Sequence, residues 1–118
     1  MNFTVAGVLD AFDQAERLHY QPAIRSGSFV SRDLTKPLTC CAVGAVALAV
    51  NDRPGSGYED LIKLGYHPAA LAGLSSGWEG AHSNLEDDGI FKENYQVGQR
   101  VREIMLATSR AIVVNRAR

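Results

Sequence analysis

The chain has 118 residues, is 46% hydrophobic and 21% charged, and carries a formal net charge of −1. That length encloses a core without staples and the composition is that of a folded chain, so one domain over 1–118 is expected, with 113–118 as a frayed tail. The only two cysteines, Cys40 and Cys41, are neighbours, which excludes a disulfide-stapled scaffold because a disulfide prefers Cα atoms farther apart than adjacent residues lie.

The first element is a helix over 4–19, in which Val5, Val8, Leu9, Phe12, Ala15 and Leu18 recur at three- and four-residue spacing with Asp10, Asp13, Gln14 and Arg17 between them. Pro22 marks its stop, since the residue before a proline is pushed out of the helical region. Residues 21–38 read as an irregular connection with one short strand at Ser28-Phe29-Val30-Ser31. A connection of that length is functional or conceals structure.

Thr39 then stands where an N-cap belongs, and a helix follows from Cys40. From Cys40 to Val50 no side chain is charged or strongly polar, so this helix is expected at the centre of the domain with others around it. Eleven apolar residues fall short of the roughly 20 that cross a bilayer, so no membrane span is expected. Acids at Asp10, Asp13 and Glu16 do not suit a secretory signal, and a cytoplasmic location is the expectation. Gly44, inside the central helix, predicts a close helix approach, with Val8, Phe12 or the Tyr95 to Met105 helix as the neighbour and Gly98 in the same contact.

Asn51, Asp52, Pro54 and Gly55 end the central helix, and Ser56 to Glu59 matches a capping box. A short helix through Leu61, Ile62 and Leu64 closes at Gly65, and His67-Pro68 opens another over Ala69 to Leu74. Ser75 to Asn84 is loop-like, or else a glycine-weakened helix begun by Ser76 and Glu79. Phe91, Tyr95, Gly98, Val101, Met105 and Thr108 trace a long helix ending near Arg110. Ala111 to Val114 extends it, pairs as a strand, or packs against a second copy. The fold class is therefore mainly α: a compact helical bundle around a buried central helix, with room for one short β hairpin or strand pair.

Two clusters are candidates for function. A thiol at a helix N-terminus has its ionised form favoured, so Cys40 or Cys41 with His82 as base, oriented by Asn84, Asp87 or Asp88, makes a cysteine hydrolase or transferase the alternative reading. Against it, free cysteine is among the most buried residue types and this helix is apolar throughout. The second cluster is a binding surface of Trp78, Glu79, His82, Asn84, Asp87, Asp88 and Tyr95, where aromatic area meets directional polar groups. The competing reading places Trp78 at the edge of the core. His19 is expected to meet free carbonyls at the end of the first helix, and His67 to belong to a helix start.

No histidine or cysteine spacing fits a zinc site and no phosphate-loop, dinucleotide or serine-hydrolase motif occurs, so no metal and no cofactor are expected. Charge is uneven: five acids against Lys92 between Glu79 and Glu93, then five arginines (Arg100, Arg102, Arg110, Arg116, Arg118) against Glu103. These read as solvated faces that attract one another within the fold or across a homodimer. Nucleic-acid binding by the arginines is a second alternative, but interleaved aromatics and a motif are lacking.

The run Cys41-Ala42-Val43-Gly44-Ala45 resembles small uncharacterised bacterial and phage proteins with C-A-x-G-A at the start of a central helix, over residues 39–50. Their later Asn-Asp pair is not matched, since Asn84 is followed by Leu85-Glu86-Asp87. The resemblance implies a mainly helical fold and a phage or accessory role, but no activity and no catalytic residues. The expected function is thus a small cytoplasmic binding protein, phage-encoded and directed at a host component, with a protein partner or small ligand; a binding role is preferred over an enzymatic one, which stays open.

Overall fold

The structure, a computed structural model, describes residues 2–24, 38–51, 58–80 and 89–113. In chain order these form α1 (Val5–Arg17), β1 (Gln21–Ile24), β2 (Thr39–Cys40), α2 (Ala42–Asn51), α3 (Tyr58–Lys63), α4 (Pro68–Glu79), α5 (Gly89–Ala107) and β3 (Ile112–Val113). The fold is mainly α with a small parallel sheet of order β2-β1-β3.

α1 begins at Thr4, whose hydroxyl accepts the Gly7 N–H at 3.0 Å, and buries Val8, Ala11, Phe12 and Ala15 along one stripe. Pro22 does not stop it. Leu18 caps the helix, and His19 turns left-handed at φ 69 while Tyr20 N–H reaches back to Ala15 O at 2.9 Å. The same closure recurs at Gly65, where Tyr66 N–H meets Leu61 O at 3.0 Å, and at Ser109, where Arg110 N–H meets Met105 O at 2.8 Å. Pro22 instead sits inside β1, opposite Cys40. His19 therefore works through its backbone rather than through its imidazole.

α2 is the central helix that the apolar run predicts. Ala42 through Leu48 are all buried, and α1, α3 and α4 pack on it. Its start differs from the expectation, however. Thr39 and Cys40 pair in parallel with Gln21 and Pro22 as β2, so Thr39 is no cap and Cys40 is not helical. Cys41 takes the cap position: its Sγ accepts the Gly44 N–H at 3.3 Å and its carbonyl accepts the Ala45 N–H at 2.8 Å. A two-residue strand leaves no periodicity to read, so the local cap signal at Thr39 was overridden by a pairing partner far away in sequence.

α4 runs past Leu74 to Glu79, which selects the glycine-weakened helix over the loop up to that residue. The weakness of glycine is offset by proximity. A Cβ on Gly73 would collide with Phe91 O and one on Gly77 with Tyr95 O, while one on Gly98 would come within 2.5 Å of Leu74 O and 2.8 Å of Trp78 N. α4 and α5 thus touch backbone to backbone. The glycine contact expected around Gly44 and Gly98 together is formed by Gly98 with α4, whereas α1 is the main helical neighbour of α2.

β3 pairs Ile112 and Val113 with Ala23 and Ile24, so Ala111 to Val113 neither extends α5 nor is left free of the sheet. The expected Ser28 to Ser31 strand, Ser56 of the capping box and Val114 lie outside the described residues. Among those described, no helix is long and apolar enough to cross a membrane.

Candidate functional site

The two thiols lie where strand β2 hands over to α2, each 2% exposed. Position alone would activate Cys41, because the amides of Gly44 and Val43 stabilise its anion. Burial acts the other way and is larger. It pushes the Cys41 thiol up to about 11, with the Glu79 carboxylate adding to the rise. Cys40 is raised further by burial, then by Cys41 and Glu16. Both sulfurs are therefore neutral thiols at pH 7, and the expected lowering at the helix start does not occur.

Tyr58, Ser75 and Glu79 gather near Cys41, since the Tyr58 phenol is raised by burial and by the Cys41 and Glu79 charges and lowered by a hydrogen bond with Ser75. His82, the proposed base, and Asn84, Asp87 and Asp88, its proposed orienting groups, lie outside the described residues. Among the described residues no group of three metal-ligating side chains occurs.

The proposed binding surface divides in the same way. Trp78 is fully buried, its ring 4.8 Å from that of Phe12, and its indole N–H donates to Ala23 O at 2.9 Å. A ring so enclosed offers no contact face, and the expectation of an exposed tryptophan gives way to the core reading. Tyr95 is half-buried on α5 and stacks on Phe91 at 5.9 Å, while Glu79 ends α4 on the Cys41 side. Trp78, Glu79 and Tyr95 therefore share the α4–α5 pair but no common open face.

Among the described residues, Arg100 and Arg110 meet carboxylate partners within the fold, while Glu86, Asp87 and Asp88 of the acidic stretch lie outside the described residues. Arg110 Nη2 donates to Asp13 Oδ1 at 2.6 Å and to Glu16 Oε1 at 2.8 Å, tying the end of α5 to α1. Both carboxylates raise its pKa. Arg100 pairs with Glu103 one turn along α5, and the Arg102 guanidinium lies over the left-handed Gly80 that caps α4. Arg116 and Arg118 lie outside the described residues.

A groove lies elsewhere, between the start of α1 and the end of α2, with a volume of ≈ 300 Å³. Its floor is apolar, with Phe3, Ala11, Val46, Ala49 and Tyr66, and Val50 stands at its mouth. Its rim is polar, with Asn2, Thr4, Asp10 and Gln14. One wall is the extended segment before α1, fixed by a buried asparagine. Asn94 Oδ1 accepts the Phe3 N–H at 2.8 Å, while Asn94 Nδ2 donates to Asn2 Oδ1 at 3.2 Å and to Ile90 O at 2.7 Å. Phe3 then stacks on Tyr66 at 5.5 Å, 9° from parallel. Sequence reading missed this site because its residues come from four separate segments. The signals were Val50, an apolar residue left 44% exposed at the end of the central helix, and Asn94, a polar residue inside the α5 stripe.

Comparison with known protein families, with curated proteins and with solved structures returned no match to this chain.

Proposed function

We propose that this protein is a small binding protein that engages a protein partner through the groove between α1 and α2. The observation that carries the reading is the groove itself: an apolar floor with a polar rim, one wall locked by the Asn94 hydrogen bonds, and Val50 standing 44% exposed at its mouth. Ile62 and Leu64 on and just after α3 are also exposed, at 43% and 56%, and give a partner further apolar area beyond the end of α2. The C-A-x-G-A resemblance supports a phage or accessory setting, with a host component as the partner.

The cysteine alternative has the helix-start placement of Cys41 in its favour, but a neutral buried thiol is a poor nucleophile. Nucleic-acid binding is disfavoured by the engagement of Arg110 with Asp13 and Glu16. The test is capture of a partner on the immobilised full chain and on two variants. Val50→Arg places a charge at the groove mouth and should lose the partner, whereas Ile112→Arg on β3, which is not part of the groove lining, should keep it. Retention by Val50→Arg, or equal loss in both, would remove the groove from the function.

A further inference from the structure

The groove also carries a statement about what enters it, and this inference rests on the binding reading above. At ≈ 300 Å³ it stands at the lower limit of small-molecule pockets and has room for about ten non-hydrogen atoms at the ~30 Å³ that a water occupies in the liquid, enough for one long side chain with space left for water. Its floor accepts methylenes. Asp10, from α1, is the only charged group among its described lining residues. A second carboxylate is close by, since Glu93 Oε1 accepts the Asn2 side-chain N–H at 2.6 Å and Asn2 itself lines the rim. The stacked Phe3 and Tyr66 rings add aromatic surface to the lining, and an aromatic face is suited to an ammonium group on an apolar stem.

We infer that the groove receives a lysine side chain of the protein partner, its methylenes along Ala11, Val46 and Ala49 and its ammonium at the Asp10 rim. An uncharged aliphatic side chain would use the same floor and leave Asp10 without a counter-charge, whereas the compact ammonium of a lysine is a point charge that one carboxylate meets. The wall does not have to be assembled on binding, because Asn94 is completely buried and already holds Asn2 and Phe3 in place.

Two small probes separate the possibilities: Nα-acetyl-lysine methylamide and its uncharged counterpart Nα-acetyl-norleucine methylamide, each titrated into the ¹⁵N-labelled full chain. The lysine probe should shift the amides of Gly7, Ala11, Ala49 and Val50 saturably. Its affinity should fall about five-fold in Asp10→Asn and weaken with added salt, as a solvent-facing charge pair does. Equal binding of the norleucine probe, with no effect of Asp10→Asn, would overturn the lysine assignment and leave the groove as an apolar docking site. No shift by either probe would also overturn it, and the Val50→Arg capture result would then decide the groove reading separately.

Discussion

Between α4 and α5 a single methyl group has nowhere to go, whereas between α1 and α2 there is room for a side chain from another molecule. The first pair meets through Gly73, Gly77 and Gly98, each facing backbone atoms of the opposite helix that cannot swing aside. The second pair meets through Val8, Ala11, Phe12 and the buried face of α2, then parts at the end where Val46, Ala49 and Val50 line the groove. The pair without space serves as scaffold, and its α4 carries the Trp78 that looked like a contact residue. The pair with space is where binding is proposed. Glycines and a lone aromatic, the usual flags of a functional loop, here mark the most rigid seam.

The largest effect that tests this contrast comes from adding atoms to each pair. Gly98→Ala should cost about 3 kcal/mol in denaturant unfolding, because the new Cβ overlaps Leu74 O and Trp78 N and the helices must separate. Ala49→Leu adds more atoms yet should change stability by no more than about 0.5 kcal/mol, since it grows into the groove. Similar losses for the two would erase the distinction.

A second test addresses the closed end of the α1–α2 pair, where the thiols lie. Cys41 ordinarily titrates near 9.0 and is pushed up to about 11 in the fold, so the folded chain holds that proton more tightly than the unfolded one. Its contribution to stability is complete below about pH 9 and is lost as pH rises towards 11, with a slope of at most about 1.4 kcal/mol per pH unit for each thiol. Cys40 and Tyr58 shift in the same direction and steepen the fall. Thermal midpoints from pH 8 to 10.5 should show it, and the Cys40→Ala/Cys41→Ser double variant should show a shallower decline. Both thiols should also resist labelling at pH 7.5 until denaturant is added. Rapid labelling of the native chain would mean that the closed end is open.

The smallest effect is a gain. His19 occupies left-handed backbone at φ 69 to close α1, a conformation that costs a side chain roughly 1 kcal/mol and glycine almost nothing. His19→Gly should raise stability by about 0.5 kcal/mol without disturbing the groove. A loss would show that the imidazole itself contributes at the helix end.

Much of the helical fold was legible because amphipathic spacing is local. α1, the buried α2, the short α3 closed by Gly65, and α5 all follow from spacing, punctuation and unbroken apolar character. What failed to show was decided by partners far along the chain. Thr39 reads as a cap until β1 takes it as a strand residue, and Ser75 to Glu79 reads either as a loop or as a glycine-weakened helix until α5 presses on Gly77. Trp78 reads either as a contact residue or as a plug at the core edge until Phe12 and Ala23 enclose it. The groove was the least legible feature, because Phe3, Asp10, Val50 and Tyr66 share no motif and become neighbours only once the helices pack.

The sheet has a consequence for how the chain assembles. β1 and β3 join the beginning and end of the described chain, and Gln21 Nε2 reaches the carbonyl of Arg110 across a separation of 89 residues. Bringing such distant points together carries a length-dependent entropic cost of about 4 kcal/mol. Two-residue strands offer only a few hydrogen bonds, at about 1 kcal/mol net each, against that cost. The sheet is thus in no position to organise the fold. The helix packing by itself holds the ends near one another, with Arg110 gripping Asp13 and Glu16 and Asn94 holding Phe3, so the strands pair at little further loss of chain freedom. Energetically the β-structure is a latch on ends that the bundle already keeps together.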